Sequence, residues 1–160
     1  MRFTIREAVS EDSEQLCELN QQVLELHSEA HPEVFCGGDS MTFFKDYVAE
    51  ILADENAAIL CADSAGRIIG MAHVLVRESP DIPIMVRRRF AVVENIVVRE
   101  GFRHMGVGRA LMESVHAWAL GKGVARVELN VWVFNQDAIA LYEKLGYEVV
   151  SSRMAKELGE

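Results

Sequence analysis

Along the 160-residue chain the hydrophobic positions switch between two periods, and the switches mark out the elements. Phe3 and Ile5 alternate with polar neighbours, so residues 2–6 read as a half-buried strand. From Ser10, an N-cap residue type, the stripe Leu16, Leu19, Val23 and Leu26 follows helical spacing. Pro32, Gly37 and Gly38 break the chain. A second helix starts near Asp39 or Ser40, with Phe43, Phe44, Tyr47, Val48, Ile51 and Leu52 on its stripe. The middle returns to strands. Residues 57–62 and 68–76 flank Asp63-Ser64-Ala65-Gly66, whose turn chemistry favours a hairpin. Pro80 and Pro83 mark a loop, and residues 90–98 form a third middle strand. Val107, Leu111, Val115 and Trp118 define one face of a helix over residues 106–120, which Gly121 and Gly123 stop. Residues 124–133 read as a strand, 135–145 as a helix ended by Gly146, and 147–154 as a last strand. The order β-α-α-β-β-β-α-β-α-β has no linker or repeat and predicts one mixed α/β domain over residues 1–160. The order alone leaves the strand pairing open.

Charge and composition narrow the function. A formal net charge of −9 disfavours nucleic-acid binding, which needs a basic field. No apolar run approaches the ~20 residues of a membrane helix. Met1-Arg2-Phe3-Thr4-Ile5-Arg6-Glu7 lacks the apolar stretch of a signal peptide, so the expected location is the cytoplasm. Cys17, Cys36 and Cys61 match no zinc or redox spacing. Cys17 and Cys61 read as buried thiols, and Cys36 has no evident catalytic partner. His27 and His31 are four apart, but Pro32 disfavours helix at His31 and no third ligand is placed. No metal site is expected. On this acidic chain the cations Arg87, Arg88, Arg89, Arg99, Arg103, His104 and Arg109 fall in one short region. They read as local potential for a polyanion or, at Arg87 to Arg89 above all, as solvated arginines.

Between the strand over 90–98 and the helix from Gly106 runs Arg99-Glu100-Gly101-Phe102-Arg103-His104-Met105. The first N–H groups of a helix lack intrahelical partners, and the dipole is positive there. Gly106 and Gly108 have no β-carbon, so a phosphate can approach the backbone. Close glycines before a helix also occur as plain turn and packing residues. The dinucleotide fingerprint would need a third glycine, and a Walker loop would need Gly-Lys-Ser/Thr.

Arg103-His104-Met105-Gly106-Val107-Gly108 resembles the Arg/Gln-x-x-Gly-x-Gly/Ala signature of the GCN5-related N-acetyltransferases. The lead-in Val93-Glu94-Asn95-Ile96-Val97-Val98 looks like that family's fourth strand, and Arg109-Ala110-Leu111-Met112 is a typical continuation. Downstream, Asn135-Gln136-Asp137-Ala138 and Leu141-Tyr142-Glu143-Lys144-Leu145-Gly146-Tyr147 resemble its second block. The resemblance implies a mixed sheet flanked by helices, with splayed fourth and fifth strands. It implies acetyl-coenzyme A as co-substrate, with pantetheine on the backbone of Ile96, Val97 and Val98. Pyrophosphate would sit on Arg103, His104, Met105, Gly106, Val107 and Gly108, with Arg109 adding charge.

The implied reaction is direct acetyl transfer to an amine. A lysine-like amine is mostly protonated at neutral pH, so a base or a water relay is needed. Glu94 is the candidate base, expected to be partly desolvated amid Val92, Val93 and Ile96; it also reads as a structural carboxylate paired with an arginine. In an unbulged strand its side chain would share a face with Ile96 and Val98; the resemblance implies that this strand is often bulged, which would change that facing. Tyr142 is the candidate acid for the departing thiolate. Asn135 reads as a helix cap, and the resemblance adds a cofactor contact. The segment from Leu26 to Glu33 is expected to border the acceptor pocket, and its acids with Glu94 favour a cationic amine, small-molecule or peptide. The resemblance admits a homodimer. The rival class is a catalytically inert acyl-CoA sensor or interaction module.

Overall fold

The computed structural model describes residues 1–159, which form a compact unit over Met1–Asn130 and a smaller one from Val131 on. The first unit carries one sheet of five strands in the order β1-β2-β3-β4-β5. Strands β1 (Thr4–Glu7), β2 (Ala57–Ser64), β3 (Arg67–Glu78) and β4 (Arg89–Val98) pair antiparallel in succession. Strand β5 (Val127–Leu129) joins β4 in parallel. A parallel pair needs a crossover, and helix α3 (Val107–Gly121) supplies it. Helices α1 (Ser13–Ala30) and α2 (Met41–Ala53) follow β1.

The apolar stripes read from the sequence become the core. Leu16 and Leu19 of α1 and Phe44, Val48 and Ile51 of α2 pack with Ile59, Cys61, Met71 and Val97 of the sheet. Leu16 and Val48 are fully buried, each removing apolar surface from water at ~1.5–3 kcal/mol. The other face belongs to α3, through buried Val107, Leu111, Met112 and Val115. Gly70 of β3 shows how tight that contact is. A β-carbon there would lie 3.0 Å from Val107 Cγ1, 3.0 Å from the Val97 carbonyl and 3.2 Å from Leu111 Cδ1. The first turn of α3 therefore rests directly on β3.

Ser10 does not cap the first long helix. It opens a 3-10 turn, Ser10–Asp12, and α1 begins at Ser13. Buried Asp12 closes that entry: its carboxylate accepts from Val9 N at 2.9 Å and from Arg6 at 2.7 and 2.9 Å. The Arg6 guanidinium holds the Asp12 carboxyl below its usual range, against the opposing effect of burial.

Two expectations are corrected. The strand expected over 124–133 is only Val127–Leu129. The strand expected over 147–154 does not form, and Val149, Val150 and Met154 are exposed. An apolar run becomes a strand only when another strand offers it a ladder, and among the described residues none does. The second unit contains helix α4 (Gln136–Lys144), ended at Gly146 by a left-handed residue (φ 87°).

Candidate functional site

The site starts from an interruption in the sheet. Strand β4 pairs with β5 only at Ala91, Val92 and Val93. Beyond Val93 it keeps β3 on one side, from Asn95 to Val98, and has no strand on the other among the described residues. Past β4, Arg99 N donates to Ile69 O of β3 at 2.8 Å. Main-chain groups alternate sides along an antiparallel strand, so those of Val97 turn toward β3 and those of Ile96 and Val98 toward the open edge. Consistent with this, the Val98 carbonyl accepts from side chains, Gln22 Nε2 at 3.1 Å and Arg103 Nε at 3.4 Å. The expected splay of the fourth and fifth strands is thus present. It leaves the Ile96 N–H and C=O and the Val98 N–H without a strand partner among the described residues.

The chain then turns into α3. Phe102 N donates to Arg99 O at 3.0 Å, and the Phe102 ring lies 5.3 Å beneath the Arg67 guanidinium. His104 and Gly106 both take positive φ, 61° and 84°. For a histidine this backbone costs on the order of 1–3 kcal/mol, a strain of the kind that collects at functional turns. A β-carbon on Gly106 would meet no atom within 4 Å. Conformation requires the glycine, and the space before the turn is open. The first bond of the helix runs from Ala110 N to Gly106 O at 3.0 Å. The N–H groups of Val107, Gly108 and Arg109 thus have no intrahelical acceptor. With the positive end of the helix dipole they are donors of the kind an oxyanion such as phosphate can use.

The arginines divide clearly. Arg87 pairs with Asp81 at 2.8 Å, Arg88 with Glu128 at 3.1 Å and Arg89 with Glu78 at 3.8 Å. Arg99 pairs with Glu18 at 3.1 Å and Arg109 with Glu113 at 2.9 Å. Arg103 is exposed and holds only the Val98 carbonyl among these contacts, which leaves its charge beside the turn. Met105 is also exposed, and Val107, the first residue of α3, is buried against β3.

Glu94 departs from expectation. In the register, Val93 faces Val74 and Asn95 faces His73, so Glu94 is the extra residue of a β-bulge. The bulge turns its side chain away from the face of Ile96 and Val98. Instead of lying desolvated among valines, its carboxylate is partly exposed and bound by Arg77 of β3. Two residues that sequence reasoning missed surround it. Tyr47 of α2 bonds its hydroxyl to His73 Nδ1 at 2.8 Å, and His73 is buried. Burial, with Arg77 adding to it, lowers the His73 pKa to about 4, so this imidazole is neutral at pH 7. Nearby, Asn95 Nδ2 donates to Asn20 Oδ1 at 3.0 Å, and Gln22 holds both the Val98 carbonyl and, at 3.3 Å, Glu100 N. The available signal was a histidine inside the apolar run of β3 and amides on the apolar-striped α1. The bulge has no mark in the residue pattern and was expected only through the family resemblance.

In the second unit Asn135 is the N-cap of α4, its side chain accepting from Ala138 N at 3.3 Å. Tyr142 is buried, with its ring centroid 5.8 Å from that of Tyr147. Burial pushes its phenol up to about 12, with Tyr147 adding to the shift. The remaining candidates take structural places. His27 Nδ1 meets Val23 O at 2.9 Å, and His31 Nδ1 pairs with Glu33 at 2.9 Å. Cys17 and Cys61 are buried, and burial pushes the Cys61 thiol up to about 12. Cys36 is exposed. Among the described residues no helix is long and apolar enough to cross a membrane.

Comparison with known proteins meets this geometry. An uncharacterised N-acetyltransferase of Mycobacterium tuberculosis is 32% identical over 105 residues, 66% of this chain, and the match spans 62% of that relative's length. A crystal structure of a mutant Bacillus halodurans protein superimposes with a TM-score of 0.87 at 26% identity, covering 97% of this chain and 99% of that one. An aminoglycoside N-acetyltransferase in complex with CoA shares the fold, with a TM-score of 0.80 at 20% identity over 98% and 95% of the two chains. Residues 20–147, which hold the open β4 edge, the glycine turn and α4, match the acetyltransferase (GNAT) family, and the chain belongs to that family.

Proposed function

We propose that the chain is an acetyl-coenzyme A-dependent N-acetyltransferase that passes acetyl directly to the amine of a cationic acceptor, small-molecule or peptide, in the cytoplasm. The carrying observation is the open edge of β4 at Ile96 and Val98, leading straight into the left-handed turn at His104 and Gly106. An extended arm with two amides matches the first, and its pyrophosphate matches the second. In this reading Arg103 supplies the cation, Gly108 and its neighbours the N–H groups, and Asn135 a further contact. A phosphoryl group on α3 would itself be well placed, since Gly70 seats that helix end firmly on the sheet.

The chemistry follows from proton accounting. At pH 7 roughly one lysine-like amine in 2,500 is neutral, a deficit of ~4.6 kcal/mol. Glu94 takes that proton, directly or through water, once the arriving cation displaces Arg77 from its carboxylate. The amine nitrogen bonds to the acetyl carbon, the carbon–sulfur bond breaks, and the second proton that the nitrogen sheds passes through water to the thiolate, giving the amide and the free thiol of coenzyme A. Tyr142 is assigned to the leaving thiolate. With its phenol near 12 and a thiol near 8.5, full transfer is uphill by ~5 kcal/mol, so the tyrosine acts as a hydrogen-bond donor that stabilises the sulfur.

The test is calorimetric titration with coenzyme A alongside thiol release from acetyl-CoA with a panel of primary amines. The folded Gly108→Val protein is expected to lose coenzyme A affinity, because added bulk blocks the approach to these N–H groups. Unchanged affinity refutes the turn as the binding site, and binding without turnover on any amine favours the inert acyl-CoA module.

A further inference from the structure

The bulge gathers a cluster that neither the glycine turn nor the open edge uses. His73 and Arg77 stand four apart on β3 and so share a face, and the bulge brings Glu94 round to them. Tyr47 reaches the same cluster from α2, with its ring edge-on to His73 at 5.6 Å and its hydroxyl on His73 Nδ1. One helical turn earlier, the Phe43 ring stacks on Tyr47 at 6.1 Å and 13°. Phe43 is 65% exposed, although its neighbour Phe44 is in the core.

We infer that Tyr47 is a positioning residue on the acceptor side of this site: its hydroxyl, fixed by His73, and its ring, stacked on Phe43, form the wall along which a cationic amine is led to the Glu94 carboxylate. The inference rests on the transferase reading above and adds to it the chemistry of the acceptor side. Three observations carry it. The stack offers aromatic faces, which attract ammonium groups, next to a carboxylate. The carboxylate already binds a cation in the form of Arg77, whose half-exposed, flexible side chain can yield its place. The Tyr47 hydroxyl would otherwise rotate freely; bonded to a neutral buried imidazole, it has one direction.

The phenol and the carboxylate also feel each other. Burial raises the Tyr47 pKa, and the Glu94 charge raises it further. Among the described residues Glu94 of β4 acts on this phenol and His73 of β3 is bonded to it, while Arg77 of β3 and Asp54, at the end of α2, act on His73.

Two measurements test the inference. In protein carrying 13Cζ-tyrosine, the Tyr47 resonance is titrated in wild type and in Glu94→Gln, with Tyr142 and Tyr147 as references. The Tyr47 midpoint is expected to fall when the anion is removed; an unchanged midpoint in the folded variant overturns the coupling. Kinetics with 1,4-diaminobutane as probe then compare wild type, Tyr47→Phe, His73→Leu and His73→Asn. Tyr47→Phe is expected to raise KM for the amine about tenfold, the scale of one hydrogen bond, with coenzyme A affinity unchanged. His73→Asn, which can still bond the hydroxyl, is expected to recover part of what His73→Leu loses. A wild-type KM in Tyr47→Phe, or a parallel loss of coenzyme A binding, overturns the role. If wild type acetylates no amine, the transferase reading fails, and the titration alone decides whether Tyr47 and Glu94 are coupled.

Discussion

His73 makes the stability of this fold depend on pH in a way that can be isolated. The side chain is 5% exposed, and its pKa falls to about 4, because burial, reinforced by Arg77, penalises the imidazolium. In the unfolded chain the group returns to ~6.5. Between these values the unfolded state binds more protons than the native state, so acid favours unfolding. Stability is complete above pH 6.5, declines as pH falls through the window and levels off below about 4. At ~1.36 kcal/mol per pH unit, the full window is worth about 3 kcal/mol, a large part of the 5–15 kcal/mol that holds a domain together. Asp12, held low by Arg6, is lost in the same direction, so the total slope does not identify His73. The difference from His73→Asn does, since that variant keeps Asp12 and drops the titration. Urea unfolding followed by the fluorescence of Trp118 and Trp132 gives stability at several pH values between 4 and 7. The variant is expected to start lower at pH 7 and to lose less on acidification. Parallel curves for the two proteins through the window would falsify the assignment of a neutral, buried His73.

Three further outcomes are expected. Glu94→Gln lowers turnover most at low pH, where the acceptor amine is protonated, and least near the amine's own pKa; a pH–rate profile parallel to wild type rejects the base. Tyr142→Phe keeps the ring, removes the hydrogen bond to the sulfur and lowers turnover about tenfold, the scale of one hydrogen bond, because a water can replace the hydroxyl. Normal turnover leaves Tyr142 as a core aromatic, and an equal loss of coenzyme A binding reassigns it to cofactor positioning. Gly70→Ala places a methyl group against the Val97 carbonyl and Val107, costing about 1–3 kcal/mol in urea melts and weakening coenzyme A through the displaced end of α3; wild-type values for both reject the close packing.

Elements whose signal is local were legible in the sequence. The stripes from Leu16 to Leu26 and from Phe43 to Leu52 became α1 and α2, and the turn at Asp63 to Gly66 became the β2–β3 hairpin. The glycine turn was legible because positive φ demands glycine at Gly106, whereas His104 in the same backbone region gave no warning. Features that depend on pairing were not legible. Tyr147 to Met154 has strand-like residues and no ladder. Glu94 changed face through one unpaired residue, and with that its expected desolvation became an ion pair with Arg77. Arg87, Arg88 and Arg89 lie close to the glycine turn in sequence, but each is held by an acid. His73 passed unnoticed because a buried histidine gains its meaning from its partner, and Tyr47 lies 26 residues away.

The unpaired stretch of β4 also bears on how the protein is stored and handled. Main-chain groups at Ile96 and Val98 that can receive a ligand can equally receive a strand from another molecule, the usual start of edge-to-edge aggregation. The side chains of Gln22 and Arg103, both bonded to the Val98 carbonyl, blunt that edge by occupying one of its acceptors and placing a charge beside it. On the proposed function ligand adds to the protection by mass action: at a hundred times its Kd, a bound molecule contributes ~2.7 kcal/mol in favour of the native state. The proposed function thus links solubility to occupancy: shelf life is expected to lengthen with coenzyme A in the buffer and to shorten when Arg103 is removed.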